Sequence, residues 1–430
     1  MDRRGRESPH GRVATPPNLI PLPGFPVATL LIDCRLIDCT GGPPIEDAAV
    51  LVDNDHIADI GPRQDVVRGT RSTHRTLELD GATVMPGLWD AHLHLGGVVP
   101  PWETRFGTQE SEAEYAFRCV RKAWDNLQAG VTSARTMGDR FNADLKLKAA
   151  IDQGFLPGPR LFVAGDSSWS MRAAGPDAFR EHARALLRAG VDVIKLFATG
   201  GIPHRARTIT HTTLTLEELR AAIEEAHRWD KTACVHAMGD AGVIMAAEAG
   251  ADSIEHGFVL TENGIQAMLD HGAVFSPQMA VTAAWTTDFM HGAGCFPEWM
   301  IDNAAEAGRV HHQGFRKAVE AGVQVVTGVD NLPRLPLSVG IESFEGRPAI
   351  VAEIRLMAEN GLSPMQALQA ATRNPARLLQ QEDRLGTLEV GKLADIIAVG
   401  GDPLDNPNML ANIRLVMKGG EIVKSGPNTA

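Results

Sequence analysis

The sequence predicts an α/β fold in which a (β/α)8 barrel of the TIM type carries a small β-sandwich domain. Five helical stretches end in glycine and continue directly into a run of strand-forming residues: "LQAGVTSAR", "LRAGVDVIKLF", "AEAGADSIEHG", "LDHGAVFSPQ" and "VEAGVQVVTGVD". A glycine after the last helical turn supplies the left-handed residue that ends a helix, and an uninterrupted Val/Ile-rich run is typical of a strand buried on both faces. This repetition indicates alternating β and α units.

Eight segments qualify as barrel strands, which is the number at which a (β/α)8 barrel closes. In chain order they are "GLWDAHLHL", "TSARTMG", "RLFVAG", "VDVIKLFAT", "TACVHAMG", "DSIEHG", "AVFSPQ" and "VQVVTGVD". A doubly wound open sheet is the alternative fold, but no G-x-G-x-x-G turn opens the first helix, and this absence favours the barrel. We therefore expect the barrel to occupy residues 86–382.

Strand signals also fill the segments on either side of the barrel. Residues 28–85 contain "ATLLIDCRLIDCT", "AAVLVDNDHIADIG" and "HRTLELDGATVMPG", and residues 383–430 contain "ADIIAVGG" and "IRLVMKGGEIVKSG". We expect these two flanks, although far apart in sequence, to pair into one small β-sandwich domain beside the barrel. Residues 1–27 are rich in Pro and Gly, and we expect them to form a flexible leader.

Composition excludes several classes of protein. The 430 residues carry a formal net charge of −12 with no basic block, which argues against binding to nucleic acid or to a membrane surface. No apolar run reaches the roughly 20 residues that span a bilayer, and the N-terminal segment lacks the apolar stretch of a signal peptide. The five cysteines form no CxxC pair, which fits a reducing compartment. We therefore expect a cytoplasmic protein.

Polar residues end five of the eight predicted strands, at the face of a barrel where active sites lie. They are His92 and His94 on the first strand, Lys195 on the fourth, His236 on the fifth, His256 on the sixth and Asp330 on the eighth. Each has an ordinary explanation when taken alone: a salt-bridged lysine, a hydrogen-bonded core histidine, a capping aspartate. Together at one mouth they favour a metal site, since alternate residues of a strand point to one face and imidazole and carboxylate are metal ligands.

The same segments resemble the metal-dependent amidohydrolase superfamily. The resemblance is carried by "MPGLWDAHLHL", "VIKLFATGG", "VHAMGDAG", "SIEHG", "VTGVD" and "GTLEVGKLADIIAVGGDPL", and it extends from about Thr29 to the end of the chain. It is strongest to the branch of prolidase-like and ochratoxin-hydrolysing enzymes that carry a lysine on the fourth strand.

This resemblance implies a binuclear metal centre. His92, His94, Lys195 and Asp330 would hold one ion, and Lys195, His236 and His256 would hold the second. In the family the lysine is carboxylated by CO₂, and the two oxygens of its carbamate bridge the ions. Modification needs a neutral amine, which an apolar strand favours by lowering the lysine pKa. Two zinc ions suit imidazole and carboxylate ligands, although manganese or cobalt can substitute. The resemblance further implies a homo-oligomer, and no motif indicates an organic cofactor.

The implied reaction is hydrolysis of an amide by a hydroxide that bridges the two metals. Asp330 would accept the proton of the nucleophile and pass it to the departing amine. The expected substrate is a small molecule: an N-acyl amino acid, a dipeptide such as a prolidase cleaves, or an ochratoxin-like aromatic amide. A carbamate, a lactone or a phosphotriester is the alternative, because one nucleophile attacks them all. A metal-free binding protein is a third possibility, against which the complete ligand set argues.

Substrate contacts are expected on the loops around this mouth. His204, Arg205 and Arg207 in "ATGGIPHRAR" can hold a substrate carboxylate, although a solvated surface loop explains them equally well. Similar enzymes carry a longer loop after the third strand, whereas this chain has the short "GDSSWSMRAAGPDAFRE" with Trp169. Met238 stands where His or Tyr is common. Both departures suggest an apolar wall for a bulky or aromatic acyl group. We expect Arg135 to form an ion pair behind the metal ligands rather than to contact substrate.

Overall fold

The computed structural model describes residues 28–70, 74–96, 111–202, 209–293, 296–330, 343–344 and 347–426. The expected leader, residues 1–27, lies outside these ranges, as do His204, Arg205 and Arg207. Within the described ranges, no helix combines the length and the apolar character needed to cross a membrane.

Strands occupy both flanks and alternate with helices between them. The strands are β1 (Ala28–Leu36), β2 (Ile45–Asp53), β3 (His56–Pro62), β4 (His74–Pro86), β5 (Leu88–Leu93), β6 (Val131–Thr136), β7 (Arg160–Phe162), β8 (Val193–Phe197), β9 (Thr232–Gly239), β10 (Ser253–Val259), β11 (Val274–Ser276), β12 (Ser343–Phe344), β13 (Arg347–Pro348), β14 (Ile396–Val399), β15 (Ile413–Lys418) and β16 (Glu421–Ser425).

The helices fall mainly between the strands β5 and β14. They are α1 (Arg63–Gly69), α2 (Glu112–Gln128), α3 (Ala143–Asp152), α4 (Pro176–Ala189), α5 (Leu216–Arg228), α6 (Asp240–Glu248), α7 (Glu262–His271), α8 (Ala284–Ala293), α9 (Glu298–Glu320), α10 (Ala349–Glu359), α11 (Pro364–Ala370) and α12 (Arg373–Leu378). Short 3-10 turns add the segments Arg140–Asn142, Ser167–Met171, Met279–Thr282 and Pro407–Ala411.

The two flanks join in a mixed sheet of seven strands, in the order β16-β15-β14-β4-β1-β2-β3. The long strand β4 pairs in parallel with β1 on one edge and antiparallel with β14 on the other. Because β4 is shared in this way, the two flanks of the expected small β-sandwich domain pair with each other, and by this pairing they form one continuous sheet. Apolar side chains on this sheet form a core of their own, which includes Leu31, Val50, Ile57, Val84 and Leu415.

The central segments form two parallel sheets, β5-β6-β7 and β11-β10-β9-β8. Seven of the eight predicted barrel strands are thereby confirmed. The eighth segment pairs with β11 at a single bridge, Phe275 with Val325. Backbone hydrogen bonds run from this segment to both neighbours: Val326 donates to Phe275 at 2.9 Å and Ala91 donates to Thr327 at 2.8 Å. Between β7 and β8, Val163 accepts from Asp192 at 2.8 Å.

The glycines that follow the predicted helices have the left-handed conformation that the sequence pattern requires. Their φ values are 89° at Gly130, 95° at Gly190, 92° at Gly250, 70° at Gly272 and 90° at Gly322. Each reverses the chain from a helix into the strand that follows, and a side chain would be strained at these angles. A Cβ atom at Gly130 would also come within 3.0 Å of the side chain of Ile413, so the same residue lets β6 approach the flanking sheet closely.

Candidate metal centre

Three of the predicted ligands converge: one on β5, one on β10 and one at the end of the eighth segment. Ligand atoms of His92, His256 and Asp330 all lie within 4.8 Å of one another. His92 Nε2 is 3.6 Å from Asp330 Oδ1, and His256 Nδ1 is 3.8 Å from Asp330 Oδ2. The backbone N–H of Asp330 donates to the carbonyl of His92 at 2.8 Å, which fixes the aspartate beside β5. Two imidazoles and a carboxylate therefore face one point.

His94 joins this group, with its Nε2 atom 3.6 Å from Asp330 Oδ1. Its other ring nitrogen, Nδ1, lies 3.2 Å from the carbonyl oxygen of Gly138. A carbonyl only accepts hydrogen bonds, so Nδ1 carries the proton and Nε2 keeps its lone pair toward Asp330. In the same way, Nε2 of His236 lies 3.1 Å from the carbonyl oxygen of Gly200, which leaves Nδ1 of His236 as its available ligand atom.

Lys195 and His236 lie beside the group on the adjacent strands β8 and β9. The ring of His236 is 4.5 Å from the ring of His256 between centroids, and 5.3 Å from the ring of Phe197. The Nζ atom of Lys195 lies 5.2 Å from the centroid of the same Phe197 ring. All six predicted ligands therefore lie at or beside one end of the parallel sheets.

Two ligand positions have a backbone conformation that side chains rarely adopt. The φ angle is 81° at His256 and 45° at Asp330. Strain of this kind costs about 1–3 kcal/mol per residue and collects at functional sites. Close packing also constrains the site, because a Cβ atom at Gly328 would lie 2.5 Å from Cβ of His92. Glycine at position 328 therefore lets the eighth segment pass close to His92.

Burial sets the protonation of the group. It lowers the pKa of His94 to about 3 and those of His92 and His256 well below the usual value, so these imidazoles are neutral and able to coordinate. Burial also lowers the pKa of Lys195, which favours the neutral amine, while Cys234, Glu255 and Asp330 act in the opposite direction. Burial raises the pKa of Asp330 to about 6, against the opposing effect of Lys195.

These residues fit a metal centre on the evidence of their unsatisfied atoms. Within the described part of the chain, Nζ of Lys195 and Nδ1 of His256 are buried and lack a hydrogen-bond partner. An unpartnered buried polar atom is costly, and a bound cation or a modified lysine would satisfy both positions. The donors are imidazole nitrogens and oxygen, without thiolate, which suits zinc and other divalent ions.

A buried ion pair lies behind His92. Glu255 places Oε2 at 2.6 Å from Nδ1 of His92, and its Oε1 accepts from Nη2 of Arg135 at 2.7 Å. The ion pair expected for Arg135 is thereby confirmed. Glu255 was not predicted, because strict strand alternation points it away from the face used by His256. The positive φ at His256 breaks that alternation.

A second buried carboxylate holds the turn after β11, and sequence reasoning gave no sign of it. Glu353 on α10 accepts hydrogen bonds from the backbone N–H groups of Met279 and Ala280 at 2.8 and 2.7 Å. It is wholly buried, and burial raises its pKa from 4.5 to about 8, although the two N–H groups act in the opposite direction. The sequence does not reveal this contact because Glu353 lies on a helix more than seventy residues after the turn that it binds.

Glu353 is expected to make the fold less stable as the pH rises. The folded protein holds the Glu353 proton more tightly than the unfolded chain, so this contribution to the free energy of unfolding is complete below pH 4.5. It is lost as the pH rises toward 8, by about 1.4 kcal/mol per pH unit. Glu353→Gln should remove that slope. Urea unfolding of both proteins across this range tests it, and parallel stability curves would show that Glu353 does not titrate there.

The two described residues of the expected substrate wall have different surroundings. Trp169 is buried against α4, with its ring 5.2 Å from the ring centroids of Phe179 and His182. Met238 follows the predicted ligand His236 by two residues and belongs to an apolar cluster. That cluster also contains the buried residues Ile202, Ile209, Phe258, Val281, Met290, Met300, Ile301, Ala304 and Ala307.

Comparison with known proteins gives consistent relatives. The model of the amidohydrolase family matches residues 83–423. Ochratoxinase of Aspergillus niger is 28% identical over 430 aligned positions, covering 90% of this chain and 84% of that protein. Among solved structures, a Xaa-Pro dipeptidase with methionine bound in its active site superposes with a TM-score of 0.80 at 28% identity, over 93% of this chain and all of the other. The structure of the A. niger ochratoxinase superposes with a TM-score of 0.79 at 25% identity, over 93% and 96% of the two chains.

Proposed function

The chain belongs to the amidohydrolase family and is a hydrolase that acts on C–N bonds, and from this premise we propose that it cleaves a small amide at a binuclear metal centre. The observation that carries the proposal is the convergence of His92, His256 and Asp330 within 4.8 Å on three separate strand segments. The proposed substrates are an N-acyl amino acid, a prolidase-type dipeptide or an ochratoxin-like aromatic amide.

We further propose that the two parallel sheets belong to one closed (β/α)8 barrel spanning residues 86–382. The support lies in hydrogen bonds at both gaps between the sheets: Val163 with Asp192 on one side, and the eighth segment with Ala91 and Phe275 on the other. Closure would bring all six ligand positions around one mouth. The flanks 28–85 and 383–430 would then form the accompanying β domain.

The proposed ligand sets follow the sequence prediction. His92, His94 and Asp330 would hold one divalent ion, His236 and His256 the other, and a carbamate formed from Lys195 and CO₂ would contribute an oxygen to each. Support comes from the buried Nζ of Lys195 and from the lowered pKa of that amine, since CO₂ reacts with the neutral form. When bound, zinc ions would supply Lewis acidity, which polarises a carbonyl and makes water a better nucleophile at neutral pH.

Asp330 has the properties needed to carry a proton in this reaction. An amide breaks only if the departing nitrogen receives a proton, so a group must accept one from the attacking water and deliver it to the amine. Burial brings the pKa of Asp330 to about 6, close to neutral pH, where a carboxylate exchanges protons effectively in both directions. Its side chain is only 16% exposed, which limits exchange of that proton with bulk water.

Substrate choice is proposed to depend on an apolar wall and on basic residues of the segment 204–207, which lies outside the described residues. The wall is the apolar cluster around Met238, which would accept a bulky or aromatic acyl group. His204, Arg205 or Arg207 would hold a free carboxylate on the other side of the scissile bond. The relatives named ochratoxinase and Xaa-Pro dipeptidase are consistent with a substrate of this shape.

A matched panel of substrates tests the proposal. Amine release is measured for N-acyl amino acids and dipeptides, for the same compounds with the terminal carboxylate converted to an amide, and for a carbamate, a lactone and a phosphotriester. We expect turnover of the free-carboxylate amides and a large loss when the carboxylate is masked. Turnover of only the carbamate, lactone or phosphotriester would overturn the amide substrate, although the metal centre would stand.

A further inference from the structure

The interior directly beside the metal ligands is crossed by a charged network that links the two parallel sheets. Arg135 on β6 reaches Glu255 and Ser253 on β10: Nη2 is 2.7 Å from Glu255 Oε1 and Nη1 is 2.8 Å from Ser253 Oγ. Its Nε donates to the carbonyl of Ala91 on β5 at 2.6 Å. Both charged side chains are fully buried. The guanidinium thus bonds to three strand residues from two sheets.

Packing alone does not account for these charges. Interiors of such sheets are usually filled by branched aliphatic side chains, which need no partner. Desolvating a buried Arg–Glu pair is costly, and replacing such a pair with apolar residues of similar volume is often neutral or stabilising. A role other than stability is therefore the better explanation for keeping both charges here.

The network ends on a metal ligand. Glu255 Oε2 lies 2.6 Å from Nδ1 of His92, whose Nε2 faces Asp330. A carboxylate accepts hydrogen bonds, so Nδ1 of His92 carries the proton and the lone pair of Nε2 points to the metal position. Gln278 adds a weaker contact of 3.5 Å to the same Glu255 oxygen.

The backbone of β10 is bent to make this contact possible. Glu255 and His256 are consecutive, so in a regular strand their side chains would point to opposite faces. The φ of 81° at His256 lets both reach His92: Glu255 through its carboxylate, and His256 with its ring 5.0 Å from that of His92. The positive φ at His256 therefore places both this predicted ligand and Glu255, the hydrogen-bond partner of His92, next to His92.

We propose that Arg135 and Glu255 are positioning residues for metal binding. Glu255 fixes the protonation and the orientation of His92, and Arg135 holds Glu255 in place and balances its charge. The inference rests on the metal centre of the proposed function but assigns to this pair a role that the ligand set does not include. Removing such support from a ligating histidine typically weakens metal binding 10- to 100-fold.

Two double variants separate this role from a structural one. R135M/E255L removes both charges and the hydrogen bond to His92, and R135M/E255Q removes the charges but keeps an acceptor for His92. Zinc affinity is measured by competition with a chelator, and thermal unfolding is measured on the metal-free proteins. We expect R135M/E255L to bind zinc about 10- to 100-fold more weakly with an unchanged or higher Tm, and R135M/E255Q to recover part of that loss.

The control is an Arg–Glu ion pair away from the ligands, in which the glutamate is buried and the arginine is partly exposed. Arg184 binds the buried Glu225 between α4 and α5 at 2.8 Å, and R184M should keep zinc affinity within about twofold of the wild type. Wild-type affinity in R135M/E255L, or failure of that variant to fold, would overturn the positioning role and leave the metal centre intact. Absence of zinc binding by the wild type itself would overturn both proposals.

Discussion

Replacing Asp330 with asparagine is expected to lower kcat by about 10³-fold or more while much of the bound metal is retained. Asparagine keeps the size of the side chain and one oxygen that can face the metal, but it cannot take up and release a proton. General acid–base groups contribute up to about 10⁴-fold to rates, and here one carboxyl group would serve both the nucleophile and the leaving amine. Loss of turnover without an equal loss of metal is therefore the expected signature.

Metal content and kcat are to be measured on the same preparation of Asp330→Asn. The matched control is Asp270→Asn on α7, which removes a surface charge but keeps an oxygen that can accept the hydrogen bond from Gln266, and it should leave both quantities unchanged. If Asp330→Asn retained full activity, Asp330 could not be the proton carrier. If it lost activity only in proportion to its metal, Asp330 would act as a ligand alone.

Replacing Lys195 with methionine is expected to move stability and activity in opposite directions. Methionine has a similar length and needs no partner, so it removes a buried amine that lacks a hydrogen bond within the described chain. The metal-free protein should gain about 1–3 kcal/mol in its free energy of unfolding. Turnover should fall by about 10³-fold or more, because the proposed carbamate of Lys195 would help to hold the metal ions, whose stabilisation of the transition state is worth several kcal/mol.

The wild-type enzyme supplies an independent check on Lys195. Metal-free protein is reloaded with zinc either in bicarbonate buffer or in buffer freed of CO₂, and zinc content and activity are followed. Carboxylation predicts two zinc ions and full activity only with bicarbonate. Equal recovery in both buffers, or a Lys195→Met variant that keeps its activity, would contradict the carbamate.

Local sequence signals were sufficient to predict most of the parallel strands. Gly190 and the apolar run that follows it identify β8, because a left-handed residue and a buried strand each have a distinct local requirement. The eighth segment was harder to predict, since its pairing through Val325 and Thr327 depends on neighbours distant in the sequence. The pairing of the two flanks was predicted, but the position of β4 between β1 and β14 was not, because nothing within β4 shows that both of its edges are paired.

The residues of the candidate site also divide into those with a local sequence signal and those that depend on distant neighbours. His92 and His94 can be identified from the sequence because two imidazoles in one strand are chemically unusual. Lys195 can be identified because ammonium groups are seldom buried. Glu255 and Glu353 cannot be identified from the sequence, because a glutamate in a strand or a helix is common and only its hydrogen-bond partners in the fold distinguish it. The geometry at His256 is non-local too, because a positive φ at a histidine has no sequence signature of its own.

The pairing of β4 with β14 has a consequence for biosynthesis. β4 is separated from β5, which carries the proposed ligand His92, by Gly87 alone, yet its antiparallel partner, residues Ile396–Val399, is made some three hundred residues later. A nascent chain therefore carries an unpaired β4 edge throughout translation of residues 88–395, and such edges promote aggregation and binding by chaperones. A chain that stops before residue 396 would keep that edge of β4 exposed.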